Sequence, residues 1–299
     1  MTDQIDKKLI GLLRKDGRIT SKEAAAKLGI SRVAVQQRIS KLCGEGIIHI
    51  TVFVNPTKSD APLGVIIGLD VINSDIDNII HMLLKQQCVA RVTKTMGRFN
   101  IFLYTAFLDI NDMSSFFLNV LSPMPGIRKN EGFILLHNDQ NNYVAPEIDP
   151  LDKDIIGLLK EDGRRSNVSI AKRLGASTST VHRRIRKLQS DDRIRIVALV
   201  NQKKVDWYWP AALAVSVQSP YLLQVRNSLA SHPNIFFVFC TTGRYDLIVS
   251  LECVSREQMF HIVEGELAKI KGVKDYELFI SEGGSSPEYY GPQWRTKDS

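Results

Sequence analysis

Two short stretches of this chain carry side chains suited to reading a nucleic-acid duplex. The first is Ser31 to Leu42, SRVAVQQRISKL, and the second is Ser177 to Leu188, STSTVHRRIRKL. In each, apolar residues recur at the spacing of one buried helix stripe: Val35, Ile39 and Leu42, then Val181, Ile185 and Leu188. The opposite face of the first holds Arg32, Ala34, Gln36, Gln37, Ser40 and Lys41. That of the second holds Thr178, Ser179, Thr180, His182, Arg183, Arg186 and Lys187, and neither face has an acidic residue. Glutamine amides match adenine edges, arginine forks match guanine or phosphate, and small residues let a helix lie close to the groove. Arg38 and Arg184 have two equal readings: a phosphate contact, or an ion pair within their own head. An ordinary amphipathic surface helix is the plain alternative for both stretches.

Such helices need a fixed entry. Gly29 and Gly175 stand where a preceding helix must end, at a position favouring left-handed backbone, and Ser31 and Ser177 are the expected N-caps. Each stretch is therefore the second half of a helix-turn-helix. Upstream, Ile5, Leu9, Leu12 and Leu13 predict a helix over 4–15, broken by Asp16-Gly17-Arg18, with Ser21 expected to cap the next. Downstream, Ile48, Ile50, Val52 and Val54 predict a strand, which makes the head a winged helix-turn-helix with a linking strand.

The two heads are copies at a constant offset of 146 residues. The offset also superposes Asp16-Gly17-Arg18 on Asp162-Gly163-Arg164, Asn55 on Asn201, and Gly97-Arg98-Phe99-Asn100 on Gly243-Arg244-Tyr245-Asp246. The repeat is far longer than a solenoid unit, so each copy is domain-sized. Behind the first head, strands near 64–71, 88–95, 99–107 and 127–137 and helices near 75–87 and 112–121 follow the order β-α-β-β-α-β, a ferredoxin-like module. The fold class is α+β. Expected boundaries are a head at 1–63, a rear module at 64–137, a linker at 138–150, a second head at 151–209, a second rear module at 210–282 and a flexible tail at 283–299.

Charge follows the same division. Basic residues outnumber acidic ones 11 to 6 over 1–63 and 14 to 7 over 150–209, whereas acidic residues lead 9 to 6 over 64–149 and 10 to 8 over 210–299. A cationic front on a slightly acidic rear suits a phosphate-binding head on a protein-binding body. Arg193, Arg195, Lys203 and Lys204 read as a solvated face, with a second phosphate-contacting rim as the alternative. Trp207-Tyr208-Trp209 is expected to pack at an interface between modules. Cys43, Cys88, Cys240 and Cys253 lack CxxC spacing and read as reduced thiols of a cytoplasmic protein. The interleaved charges of the N-terminus argue against a signal peptide, and no apolar run is long enough to span a bilayer. The six histidines show no metal-ligand spacing, and no nucleophile, phosphate-loop or dinucleotide motif occurs. No catalytic residue, metal or cofactor is expected, and the chain reads as a non-enzyme.

Leu151 to Leu159, Leu174 to Leu188 and Thr241 to Leu251 (TTGRYDLIVSL) together resemble the Lrp/AsnC, or leucine-responsive/asparagine-type, family of transcriptional regulators. The resemblance covers both copies. It implies a sequence-specific head for double-stranded DNA and a RAM-type rear module that dimerises and, in many members, binds a small effector such as an amino acid. The effector-facing residues it implies are Met96, Gly97, Phe99 and Asn100, and Thr242, Gly243, Tyr245 and Asp246. Most members carry one copy; this chain would supply both halves as an intrachain pseudo-dimer able to assemble further. The family often has hydroxylic residues after the glycine of the last strand, whereas here Gly126-Ile127-Arg128-Lys129 and Gly272-Val273-Lys274-Asp275 stand there. Two other readings share the architecture: a sirohaem-decarboxylase-like tetrapyrrole enzyme, for which only Arg91 speaks, and a nucleoid-type DNA organiser. The unlike helix faces predict an operator with two unlike half-sites.

Overall fold

The computed structural model describes residues 2–55, 58, 61, 63–136 and 148–282; most of the linker, the tail and the side chain of Lys203 lie outside them. In chain order the first copy forms α1 (Gln4–Lys15), α2 (Ser21–Leu28), α3 (Arg32–Gly44), β1 (Ile48–Val54), β2 (Leu63–Val71), α4 (Ile76–Leu84), β3 (Val89–Met96), β4 (Ile101–Phe107), α5 (Ile110–Phe116) and β5 (Ile127–Ile134). The second repeats it with α6 (Pro150–Glu161), α7 (Asn167–Leu174), α8 (Thr178–Ser190), β6 (Ile194–Val200), β7 (Trp209–Val217), α9 (Leu222–Ser231), β8 (Ile235–Cys240), β9 (Leu247–Cys253), α10 (Arg256–Phe260) and β10 (Val273–Ser281). The chain divides into two compact units, one made of the front elements of both copies and one of the rear elements.

In the front unit the helix boundaries follow from local chemistry. Ser31 and Ser177 accept the Ala34 and Thr180 amides, and Gly29 and Gly175 close the preceding helices at φ 68° and 64°. The cap of α2 is Thr20 rather than Ser21. Thr20 has extended backbone and forms a reciprocal capping box with Glu23, and Ser21 is already helical. Each linking strand finds its partner in the other copy: β1 and β6 pair antiparallel from Ile48↔Val200 to Val54↔Ile194. Helix α1 packs on β6 and α6 on β1. Helices from both copies thus cover the ribbon, which is why Ile50, Val52, Ile196 and Ala198 are all buried.

In the rear unit the strand order is β5-β2-β4-β3-β10-β7-β9-β8, antiparallel throughout, and each half is a ferredoxin-like sheet. One face of each half carries its own helices over a core that includes Ile67, Leu69, Ile79, Leu83 and Phe107 in the first copy and Leu213, Val215, Val225 and Met259 in the second. The other faces share one cluster: Ile66, Phe99, Phe102, Phe133 and Leu135 against Ala212, Ala214, Tyr245, Ile248 and Phe279. Phe279 stacks on Phe99 at 5.8 Å and meets Phe102 edge-on at 4.8 Å. The halves also join through Met96↔Ile280 and Thr95↔Ser281, and through a bridge between Leu135 and Thr241. Of the aromatic trio, Trp209 packs on its own module's core, while Trp207 is buried and meets the Tyr208 ring edge-on. Both α5 and α10 run on into a π-helical turn, Phe117–Leu121 and His261–Glu266. Cys88, Cys240 and Cys253 are buried free thiols, and Cys43 is an exposed one.

Candidate nucleic-acid interface

Burial of the Val-Ile-Leu stripes orients α3 and α8. Val35, Ile39, Leu42, Val181, Ile185 and Leu188 are all under 10% exposed, so the faces opposite them look outward. On α3, Arg32, Gln36, Gln37, Ser40 and Lys41 are exposed; on α8, Thr178, Ser179, His182, Arg183, Arg186 and Lys187 are. Ala34 and Thr180 lie half-buried at the shoulders. The Ser177 hydroxyl is committed to its cap, in contact with the Ser179 and Thr180 hydroxyls at 2.9 and 2.8 Å. His182 Nδ1 meets the Asn167 amide nitrogen at 3.2 Å, and the Asn167 carbonyl accepts from Arg18 Nη1 at 3.0 Å. The imidazole of the second recognition helix is thereby tethered to the first head.

Arg38 and Arg184 depart from the DNA-facing set. Arg38 Nη1 lies 2.7 Å from Asp3 and 2.6 Å from Asp6, and Arg184 Nη1 lies 3.1 Å from Asp149 and 3.2 Å from Asp152. Two carboxylates neutralise each guanidinium, so it braces a recognition helix against its own first helix rather than meeting phosphate. The Asp6 amide and Arg38 together hold the Asp3 carboxyl below its ordinary value. Of the residues read as a solvated face, Arg195 is exposed with its Nε 3.4 Å from Asp192, whereas Arg193 is buried.

A cross-head lock is the feature that helix breaking alone did not reveal. Gly17 N donates to Ile196 O at 2.7 Å, and Gly163 N donates to Ile50 O at 2.8 Å. A Cβ on Gly17 would lie 3.0 Å from the Ile196 backbone, and one on Gly163 would lie 3.0 Å from that of Ile50. Arg18 Nε then donates to Gly163 O at 2.8 Å and its Nη2 to Arg165 O at 2.6 Å. Arg164 Nη1 returns the contact to Gly17 O at 2.8 Å. Burial, followed by the nearby Arg164 charge, lowers the Arg18 pKa. The signal in the sequence was the repeated Asp-Gly-Arg tripeptide.

The rear hairpins separate into tip and base. Met96, Gly97, Thr242 and Gly243 are exposed at the tips. Phe99, Asn100, Tyr245 and Asp246 are committed to the fold, which corrects the expectation that they face an effector. Phe99 is fully buried among aromatic rings. Asn100 clamps Val71 with two hydrogen bonds of 2.8 and 2.7 Å, and Asp246 accepts the Val217 amide at 2.7 Å. The Tyr245 phenol donates to the Glu277 carboxylate, and burial first, that carboxylate second, raises its pKa. The copies reach across to each other with Arg98–Glu277 at 3.6 Å and Arg244–Glu131 at 3.2 Å. Among the described residues no group of His, Cys, Asp and Glu could hold a metal ion, and no helix is long and apolar enough to cross a membrane.

A helix-turn-helix head with an open, acid-free second helix, carried by a chain with a ferredoxin-like rear, defines a class of DNA-binding protein, and comparison with known proteins agrees. Residues 2–49 match the model of winged helix-turn-helix DNA-binding domains, 148–189 that of the AsnC-type helix-turn-helix domain, and 211–281 that of the Lrp/AsnC ligand binding domain. An uncharacterized HTH-type transcriptional regulator of Pyrococcus horikoshii is 31% identical over 135 residues, 45% of this chain and 85% of that protein. The HTH-type transcriptional regulator FL11 of the same organism is 31% identical over 134 residues, 44% of this chain and 88% of that protein. This chain belongs to the Lrp/AsnC family. Among solved structures, the siroheme decarboxylase NirDL shares the fold at 15% identity and a TM-score of 0.59, over 97% of this chain and 93% of that one.

Proposed function

We propose that this chain is a sequence-specific transcriptional regulator of Lrp/AsnC type that grips double-stranded DNA with two unlike heads. One observation carries the reading: α3 and α8 belong to one front unit, and both turn acid-free faces outward, amide-bearing on α3 and cationic on α8. Gln36 and Gln37 suit adenine edges, while Arg183, Arg186 and Lys187 anchor phosphate or guanine. The chain acts as its own pseudo-dimer in the cytoplasm, assembles further through its rear unit, and answers to a small metabolite. Selection from random duplexes at fixed salt tests it. The expected product is a pair of dissimilar half-sites; a perfect palindrome would contradict the unlike heads, and enrichment of no sequence would make the chain a DNA organiser.

A second reading is favoured by the fold likeness to the siroheme decarboxylase NirDL along nearly the whole chain. The chain would then be a tetrapyrrole enzyme that retains its heads as a shell. Tetrapyrrole absorbance and decarboxylation by the purified protein, without salt-sensitive DNA binding, would put this reading first.

A further inference from the structure

The two rear sheets meet around a cavity of about 20 Å3, bounded by Arg91, Thr93 and Tyr104 of the first copy and Ala211, Ser250 and Ser281 of the second. That exceeds the roughly 10–15 Å3 one water needs, and it limits an occupant to a head group of a few atoms. The duplication supplies an internal control, because the 146-residue offset generates a matching crevice on the other side. There Arg91 becomes Phe237, Thr93 becomes Phe239 and Ser281 becomes Leu135. The equivalence holds in the backbone as well, since the irregular register between Val89 and Arg91 recurs between Ile235 and Phe237.

Bulky apolar side chains stand at the matching positions. The Phe237 and Phe239 rings lie 4.6 Å apart, Phe237 meets Tyr104 at 6.2 Å, and Leu135 covers Gly64 so closely that a Cβ there would lie 2.8 Å from its methyl. At these three matched positions the first crevice is therefore polar where the second is apolar. A buried hydroxyl in such a place is unfavourable unless something answers it. Thr93 is only 6% exposed, and among the described residues its hydroxyl has no hydrogen-bond partner. A valine would fill the same space without that cost. The Arg91 guanidinium lies 5.6 Å from the Tyr104 ring centroid and brings a cation to the wall, and no Asp or Glu is among the described residues that line the cavity.

We propose that this cavity binds the carboxylate head of a small metabolite, and that the chain holds one such site rather than two. Arg91 supplies the charge, the Thr93 and Ser250 hydroxyls supply donors, and Tyr104 closes one side. The site is separate from the hairpin tips and does not rest on the DNA-binding reading, so its test is run without DNA. The full chain is titrated calorimetrically with sodium formate and sodium acetate at constant ionic strength, with formamide and acetamide as neutral matches, and thermal unfolding is followed in parallel. The expected result is saturable binding of one carboxylate per chain with a rise in Tm, and neither effect from the amides. Arg91→Gln and Thr93→Val should each weaken binding by about tenfold, the loss of one charge-assisted hydrogen bond. Thr93→Val, nearly isosteric, decides the matter if Arg91→Gln does not fold. Binding of neither carboxylate, equal binding of the amides, two sites per chain, or wild-type affinity in Thr93→Val would each overturn the proposal.

Discussion

Arg18 and Arg164 occupy the same position in the two copies, and each donates to the carbonyl of the glycine preceding the other, both at 2.8 Å. Neither arginine has its nearest purpose in its own head. Together with the reciprocal amide bonds of Gly17 and Gly163, they tie the two helix-turn-helix units to one central ribbon.

Removing either side chain should therefore loosen the front unit as a whole. Arg18→Ala or Arg164→Ala is expected to cost about 1–3 kcal/mol by urea unfolding, as for a lost hydrogen bond to a charged group. Gly17→Ala and Gly163→Ala should cost a similar amount, roughly 1–3 kcal/mol, because the added methyl meets ribbon backbone as well as an isoleucine methyl, and the backbone cannot yield. In binding assays these variants should lose more affinity for a two-part operator than for an isolated half-site. Equal losses on both would mean that the heads already act independently in the wild type.

The exposed helix faces predict two different mutational signatures. Arg183→Ala and Arg186→Ala, if they meet phosphate, should each lower the slope of log affinity against log salt by about one unit. Gln36→Ala should instead relax preference at one base pair of a single half-site, at about 1–3 kcal/mol. Arg38→Ala should do neither. It should destabilise the first head, because Asp3 and Asp6 lose their shared cation. Electrophoretic shifts across a salt series, beside thermal unfolding, separate the three outcomes.

A third expectation arises where the copies differ by one hydroxyl. Tyr245 donates to Glu277, but Phe99 at the matching position cannot serve Glu131, whose buried Oε2 has no hydrogen-bond partner among the described residues. Phe99→Tyr should restore that bond and raise stability by about 1 kcal/mol, and Tyr245→Phe should lower it by about as much. Packing limits the gain, since the Phe99 ring lies within 3 Å of where a Cβ on Gly68 would be, and Ala214 holds the matching place beside Tyr245. Calorimetric Tm values for the two variants should move in opposite directions.

Lys160 gives a pH dependence of defined sign. Burial lowers its amine pKa from 10.5 to about 8. Between those values the unfolded chain holds a proton that the folded chain has released, so stability rises with pH across this window. Below about pH 8 both states are protonated, and the penalty for burying the charge is fully present. Denaturation midpoints measured from pH 7.5 to 10.5 should therefore climb in the wild type and flatten in Lys160→Met. A slope that survives the substitution would assign it to other groups.

Much of this fold was legible from residue order. Helix stripes, the capping serines, the glycines at 29 and 175 and the period of the rear module are local signals, and each sets an element by itself. The partner of each linking strand was not legible, because alternation in Ile48–Val54 fixes a strand but not what it pairs with. The orientation of the recognition faces also followed from periodicity. The fate of Arg38 and Arg184 did not, since an arginine reads alike whether it meets a phosphate or two aspartates. Family likeness puts Phe99 and Asn100 on an effector face, yet tertiary packing uses one as core and the other as a backbone clamp. The cavity beside Arg91 is lined by residues of both copies, so no local stretch of sequence signals it.

The pairing of β1 with β6 has an evolutionary consequence. Separate polypeptides bearing these two heads would sort into like and unlike couples, at ratios set by expression level and dilution. Here the mate is always present, at an effective concentration fixed by covalent continuity. Changes in either half are thus inherited together, so amides can accumulate on one helix and cations on the other without homotypic competitors ever forming.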